Sequence, residues 1–138
     1  DDEDLWVHIN LNSYKIIRNL LTNKSLCKKL KESKIARILY LALRKGGICL
    51  EHASQALWLL SEIEGNKEAF GVRGTNLFCN LLFEQDLSKF NVETLQGVLG
   101  ALANLAMIRD LALEISRSAG TLDCVMEFMM ERKTSDNR

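Results

Sequence analysis

The sequence repeats itself at an interval of slightly more than forty residues. The segment YKIIRNLL, residues 14–21, aligns with LWLLSEIE, residues 57–64, at an offset of 43, and LGALANLA, residues 99–106, follows at a further 42. Two shorter apolar segments come after each of these, so three copies cover almost the whole chain. A period of this length is typical of stacked repeats, in which each copy buries its apolar face against its neighbours.

The chain is predicted to be all-helical. It contains no proline, and apolar residues recur at steps of three and four through most of its length, a spacing that places them on one face of a helix. Glycines and one polar stretch supply the breaks. They delimit predicted helices over residues 9–22, 24–33, 35–44, 48–64, 66–73, 75–84, 91–106, 108–118 and 121–132. With 138 residues, 47% of them hydrophobic, the chain can form one domain with a substantial core.

One segment carries a family resemblance. The stretch ALWLLSEIEGNKEAFGVRGTNLFCNLL, residues 56–82, resembles an armadillo repeat, with a long third helix, a short first helix, a glycine and an apolar second helix. ALANLA, residues 101–106, is similar to the end of the family's third helix. The resemblance implies a right-handed α-solenoid of about three armadillo-like repeats, and the related HEAT repeats share its period. We expect a repeat domain over residues 5–132, with repeats near 5–44, 47–84 and 91–132, and flexible ends at 1–4 and 133–138.

The sequence also departs from the family pattern. The first copy has Lys34 where the second has Gly74, and the proline that often starts the family's second helix is missing from every copy. The chain begins with a third helix and ends with a second one, so the solenoid is expected to be cut out of register. Such ends should expose apolar surface unless further repeats, caps or a partner cover them. End-to-end contacts or an oligomer are therefore expected through the solenoid ends.

Trp58 lies away from the apolar stripe of its helix. On a helical wheel, the stripe gathers Leu50, Ala53, Ala56, Leu57, Leu60 and Ile63. Trp58 falls instead on a ridge of the opposite surface, which we call the second ridge: Glu51, Gln55, Trp58 and Glu62. The same spacing gives a first ridge of His8, Asn12, Lys15 and Asn19, and a third ridge of Glu93, Gly97, Gly100 and Asn104. If the long helices stack in parallel, the ridges are expected to lie side by side as one surface.

In armadillo proteins the corresponding surface is the concave groove, which binds extended peptides through asparagines and tryptophans of the third helices. By resemblance, the asparagine position is Asn19, Glu62 and Asn104, and the tryptophan position is Lys15, Trp58 and Gly100. Because an ionised carboxylate only accepts hydrogen bonds, Glu62 would favour a basic side chain or an exposed N–H. The candidate partner-binding residues are Trp58, Glu62, Asn19, Asn104, Lys15, Gln55, Glu51, Asn12 and Gly100. The competing interpretation is that Trp58 packs against Lys15 or a neighbouring repeat, as a lid over the core.

The expected function is a non-enzymatic protein-binding scaffold that holds a partner peptide or helix in this groove. A nuclear-import adaptor is a minority alternative, since no copy has both the tryptophan and the asparagine. A structural solenoid segment of a larger assembly is another. Nucleic-acid binding is motivated by residues 15–45, which hold ten Lys or Arg against the single acid Glu32, while residues 51–131 hold twelve acids against five bases. No aromatic platform is interleaved with those bases, so this alternative is disfavoured.

No set of residues indicates catalysis, a metal or a cofactor. The nearest metal motif is Cys49 with His52, which lacks a second pair of ligands. Neither a phosphate-binding glycine loop nor a nucleophile elbow is present. We therefore expect no enzyme activity, no cofactor and no small-molecule substrate.

The expected location is intracellular, in the cytoplasm, the nucleus or both. The four cysteines lie far apart beside apolar residues, which suits buried reduced thiols. No run of eighteen apolar residues occurs, and the acidic start DDED is the reverse of a signal peptide's basic start. We therefore expect a soluble protein without membrane contacts.

Overall fold

A computed structural model describes residues 1–23, 25, 35–84, 91–118 and 120–136. These residues form helices and short connections with no β-strand among them, so the predicted all-α class is confirmed. The α-helices are α1 (Asp2–Leu21), α2 (Ile35–Lys45), α3 (Leu50–Ser61), α4 (Glu64–Glu84), α5 (Val92–Leu105), α6 (Arg109–Arg117) and α7 (Thr121–Asp136). A 3₁₀ turn, Gly47–Cys49, precedes α3. The predicted helix over residues 24–33 lies almost entirely outside the described residues.

Local capping explains where two of the helices start. The side chain of Asp1 accepts a hydrogen bond from the Glu3 amide at 3.3 Å, so α1 begins at Asp2 rather than at the predicted residue 9. The side chain of Asn91 accepts from the Thr94 amide at 2.8 Å and caps α5. Each cap satisfies an amide that has no partner within the helix.

The predicted break at Gly74 is wrong by three residues. Within α4 it is Gly71 that leaves the helical conformation, with φ 62° and ψ −173°, a left-handed geometry that favours glycine. Gly74 instead lies against the hydroxyl end of Tyr40: a Cβ at this position would collide with the hydroxyl and would lie 2.6 Å from Cζ. The two glycines of this segment therefore serve different purposes, one conformational and one steric.

Helix α3 occupies the centre of the fold and packs against α1, α2, α4 and α5. The stripe predicted for α3 forms its buried face: Ala53, Ala56, Leu57 and Leu60 are buried, and Leu50 and Ile63 pack against them. Helix α3 therefore stabilises the fold mainly by packing this apolar stripe against its neighbouring helices.

An aromatic cluster joins α2 to both segments of α4. Tyr40 meets Phe70 edge to face at a centroid distance of 5.4 Å and Phe78 at 6.1 Å, and the two phenylalanines stack at 6.2 Å. Among the described residues, the buried Tyr40 hydroxyl has no hydrogen-bond partner, and burial raises the pKa of Tyr40. The cluster therefore gains apolar and aromatic contacts at the cost of one unsatisfied hydroxyl.

None of the described helices combines the length and the apolar character needed to cross a membrane.

Candidate functional site

The second and third ridges meet at the contact between α3 and α5, which we call the seam. Gln55 is only 7% exposed, and its side-chain amide donates to the Glu93 carbonyl. A Cβ on Gly97 would lie 2.7 Å from the Ser54 carbonyl carbon and 2.8 Å from the Gln55 amide nitrogen. Gln55 therefore does not line an open surface, and Gly97 allows the two helices to cross closely.

Trp58 lies at the seam and packs over Gly100. A Cβ on Gly100 would collide with the indole and would lie 2.6 Å from its Cδ2 atom. Trp58 is half-buried and belongs to the residues packed against the core. Because Gly100 has no side chain, the indole packs directly on α5. Trp58 keeps part of its surface exposed to solvent.

Two polar contacts flank the indole along the seam. The Asn104 amide donates to the Ser61 hydroxyl at 2.9 Å, and the Asn91 amide donates to a Glu51 carboxylate oxygen at 3.3 Å. Ser61 also donates to the Trp58 carbonyl at 2.6 Å. The Asn104 amide is therefore engaged within the fold. The sequence interpretation missed Ser61, although a hydroxyl three residues after Trp58 in an apolar run could have indicated it.

The candidate residues fall into three groups by exposure. Asn12, Lys15, Asn19 and Glu62 are exposed; Glu51, Trp58, Gly100 and Asn104 are half-buried; Gln55 is buried. The exposed members lie on α1 and at the end of α3, where Glu62 is the C-terminal cap residue. The accessible polar surface is therefore on the α1 and α3 side of Trp58.

A contact between α1 and α3 was also missed. The Nη1 atom of Arg18 lies 3.0 Å from the Nδ1 atom of His52, which is half-buried. Burial lowers the pKa of His52, and the charges of Arg18 and Lys15 lower it further, while Glu51 opposes them. A neutral imidazole can accept from the guanidinium through Nδ1. The sequence interpretation considered His52 only beside Cys49, since nothing in the spacing of 34 residues pairs it with Arg18.

No disulfide joins the cysteines of the described residues. Cys79 is buried, and Cys49 and Cys124 are half-buried, while Cys27 lies outside the described residues. Burial raises the pKa of Cys49, and Lys45 opposes the shift. Within the described part of the chain, no three metal-ligating side chains come together.

No family model, curated protein or solved structure matches the chain.

Proposed function

We propose that the protein is a non-enzymatic scaffold, built as a right-handed α-solenoid of about three armadillo-like repeats, that holds a partner peptide or helix. The partner lies across the outer surface of α1 and α3 and reaches the indole of Trp58. Its main contacts are Lys15, Asn19, Trp58 and Glu62. The observation that carries the proposal is the half-buried Trp58 side chain, which packs over Gly100 beside the exposed Glu62 carboxylate.

The spacing of the tertiary contacts supports stacked repeats. The hydrogen bonds from Asn104 to Ser61 and from Cys124 to Leu82 join residues 43 and 42 positions apart. The bond from Asn91 to Glu51 spans 40 positions. The first two intervals equal the 43- and 42-residue offsets of the sequence and the third is slightly shorter, as expected when each copy packs on its neighbour.

The chemistry of the indole supports binding of a protein segment. Tryptophan is enriched where partners bury a rigid, amphipathic surface, because it offers a large area with few rotatable bonds. The contact with Gly100 fixes the indole before binding, which reduces the entropy lost when a partner covers it. The exposed Glu62 favours a partner with a Lys or Arg near the indole, where cation–π contact adds about 0.5–2 kcal/mol.

Charge on α1 adds a second preference. Lys15 is exposed and lies near His52, whose pKa it helps to lower. An acidic partner residue would therefore suit the α1 side, while a basic residue suits the Glu62 side. Asn104 contributes less, since its amide already donates to Ser61.

A displayed peptide library tests the proposal. Wild type is expected to enrich peptides that carry Lys or Arg. The Glu62→Lys variant should no longer enrich these peptides, because its added positive charge repels theirs. Asp110→Lys is the matched control, because it makes the same charge change at an exposed position of α6, outside the proposed binding surface. Selection of the same peptides by Glu62→Lys, or of none by wild type, would overturn the proposal.

A further inference from the structure

A cleft opens between α1 and α2. It has a volume of about 280 Å³, and its lining is mostly apolar, with Tyr14, Ile17, Ile35, Ile38 and Leu39 among the residues that form it. Ile38 is 52% exposed at its edge. Trp6 is 62% exposed and shares a helical ridge with the lining residues Asn10, Ser13 and Ile17 at steps of three and four. The cleft is thus an apolar depression with exposed apolar borders.

The border of the cleft on α2 is basic. Arg37, Arg44 and Lys45 are all exposed, and Lys45 lies on the same helical face as Ile38 and Leu41. The sequence of α2, IARILYLALRK, contains no acid. An apolar occupant with acidic flanks would therefore match both the cleft and its border.

Helix α7 carries the complementary pattern. Leu122, Met126 and Met129 recur at steps of four and three and are 51%, 58% and 69% exposed. Asp123 and Glu127 are exposed on the adjoining face. Methionine side chains are flexible enough to fill an irregular apolar depression. The helix packs against α4 and α6, whereas the two walls of the cleft, α1 and α2, both pack against α3, so the cleft and the α7 face lie on different helices.

We propose that the cleft between α1 and α2 binds α7 of a second copy of this chain, so that copies associate head to tail. Leu122, Met126 and Met129 enter the cleft, and Asp123 and Glu127 meet the basic residues of α2. The two faces differ, so the contact is heterologous: one copy uses its cleft and the next uses its α7. This association involves neither Trp58 nor Glu62, and it goes beyond the proposed function.

Sedimentation velocity of wild type and two variants tests the proposal. Wild type is expected to show a mass that rises with protein concentration and falls at high salt, because salt screens the flanking charges. Ile38→Asp places a charge in the cleft and Met126→Asp places one on α7, so each should weaken association about 30-fold or more. In a mixture of the two variants, the unchanged α7 of Ile38→Asp can bind the unchanged cleft of Met126→Asp. The mixture should therefore form a dimer, which cannot grow because its two remaining faces carry the substitutions.

Val92→Asp is the matched control, because Val92 is 76% exposed at the start of α5, outside both faces. It should associate like wild type. Circular dichroism checks that each variant is folded, and Leu41→Asp or Met129→Asp replaces one that is not. A wild type that stays monomeric up to about 0.5 mM would overturn the proposal. So would single variants that associate like wild type, or a mixture that fails to form the dimer.

Discussion

Gly97 and Gly100 set how closely α5 approaches α3. A side chain at Gly97 would meet the backbone of Ser54 and Gln55, whereas one at Gly100 would meet the Trp58 indole. A backbone cannot move without shifting its helix, but a half-buried indole can turn toward solvent. The two positions should therefore tolerate substitution differently, although they lie on the same ridge.

Gly97→Ala is expected to reduce the free energy of unfolding by about 2–3 kcal/mol, and Gly100→Ala by about 1 kcal/mol or less. Each value is net of the gain in helix propensity from glycine to alanine, about 1 kcal/mol. Urea denaturation measures both. Ala103→Gly, at an exposed position of α5, calibrates the propensity term alone. Equal effects at the two glycines would contradict the steric account of the seam.

Tyr40→Phe is expected to stabilise the fold by about 1 kcal/mol, because it removes a buried hydroxyl that has no partner among the described residues and keeps the ring contacts with Phe70 and Phe78. The variant should also relieve part of the collision in Gly74→Ala. Thermal unfolding of the two single variants and the double variant measures this coupling. Additive effects would mean that the hydroxyl does not restrict Gly74.

At the scale of the helices, α1 and α3 are linked by the contact of Arg18 with His52. The pKa of His52 is lowered in the folded chain, so the folded state favours the neutral imidazole. The stability from this contact is complete above the unfolded-state pKa of about 6.5 and is lost as the pH falls below it. Protonation would place a cation against the Arg18 guanidinium.

Acidification from pH 7.5 to 5.5 is therefore expected to destabilise wild type more than His52→Asn. The amide of the variant can still accept from Arg18, but it does not titrate. Urea denaturation at the two pH values gives the difference for each protein, and other titrating groups contribute equally to both. An identical loss of stability in the two proteins would show that His52 does not contribute.

Much of the helix pattern could be predicted from the sequence, and its exceptions have local causes. Helices α2, α3, α5 and α6 each end within a few residues of their predicted ends, because apolar spacing and glycine breaks determine them. The break within α4 was misplaced, since either Gly71 or Gly74 could adopt a left-handed conformation. Gly74 instead contacts Tyr40, a neighbour from a distant part of the chain that the local sequence does not indicate.

At the scale of the whole molecule, the sequence predicted which face of α3 is buried but not what its polar ridge contacts. A helical wheel gives the direction of Trp58 from its own axis, yet the neighbour in that direction depends on the register between α3 and α5. That register brings Gln55 and Gly97 into the seam and leaves Glu62 exposed. The proposed binding surface consequently includes fewer residues than the nine candidates.

If a partner covers the exposed part of Trp58, the fluorescence of this side chain will change on binding. In a Trp6→Phe variant, Trp58 is the only tryptophan, so its emission reports on the seam. A peptide enriched by wild type is expected to shift the emission to shorter wavelength as it removes water from the indole, with about tenfold weaker binding in Glu62→Lys. Binding of that peptide with unchanged Trp58 emission would show that the partner does not cover the indole.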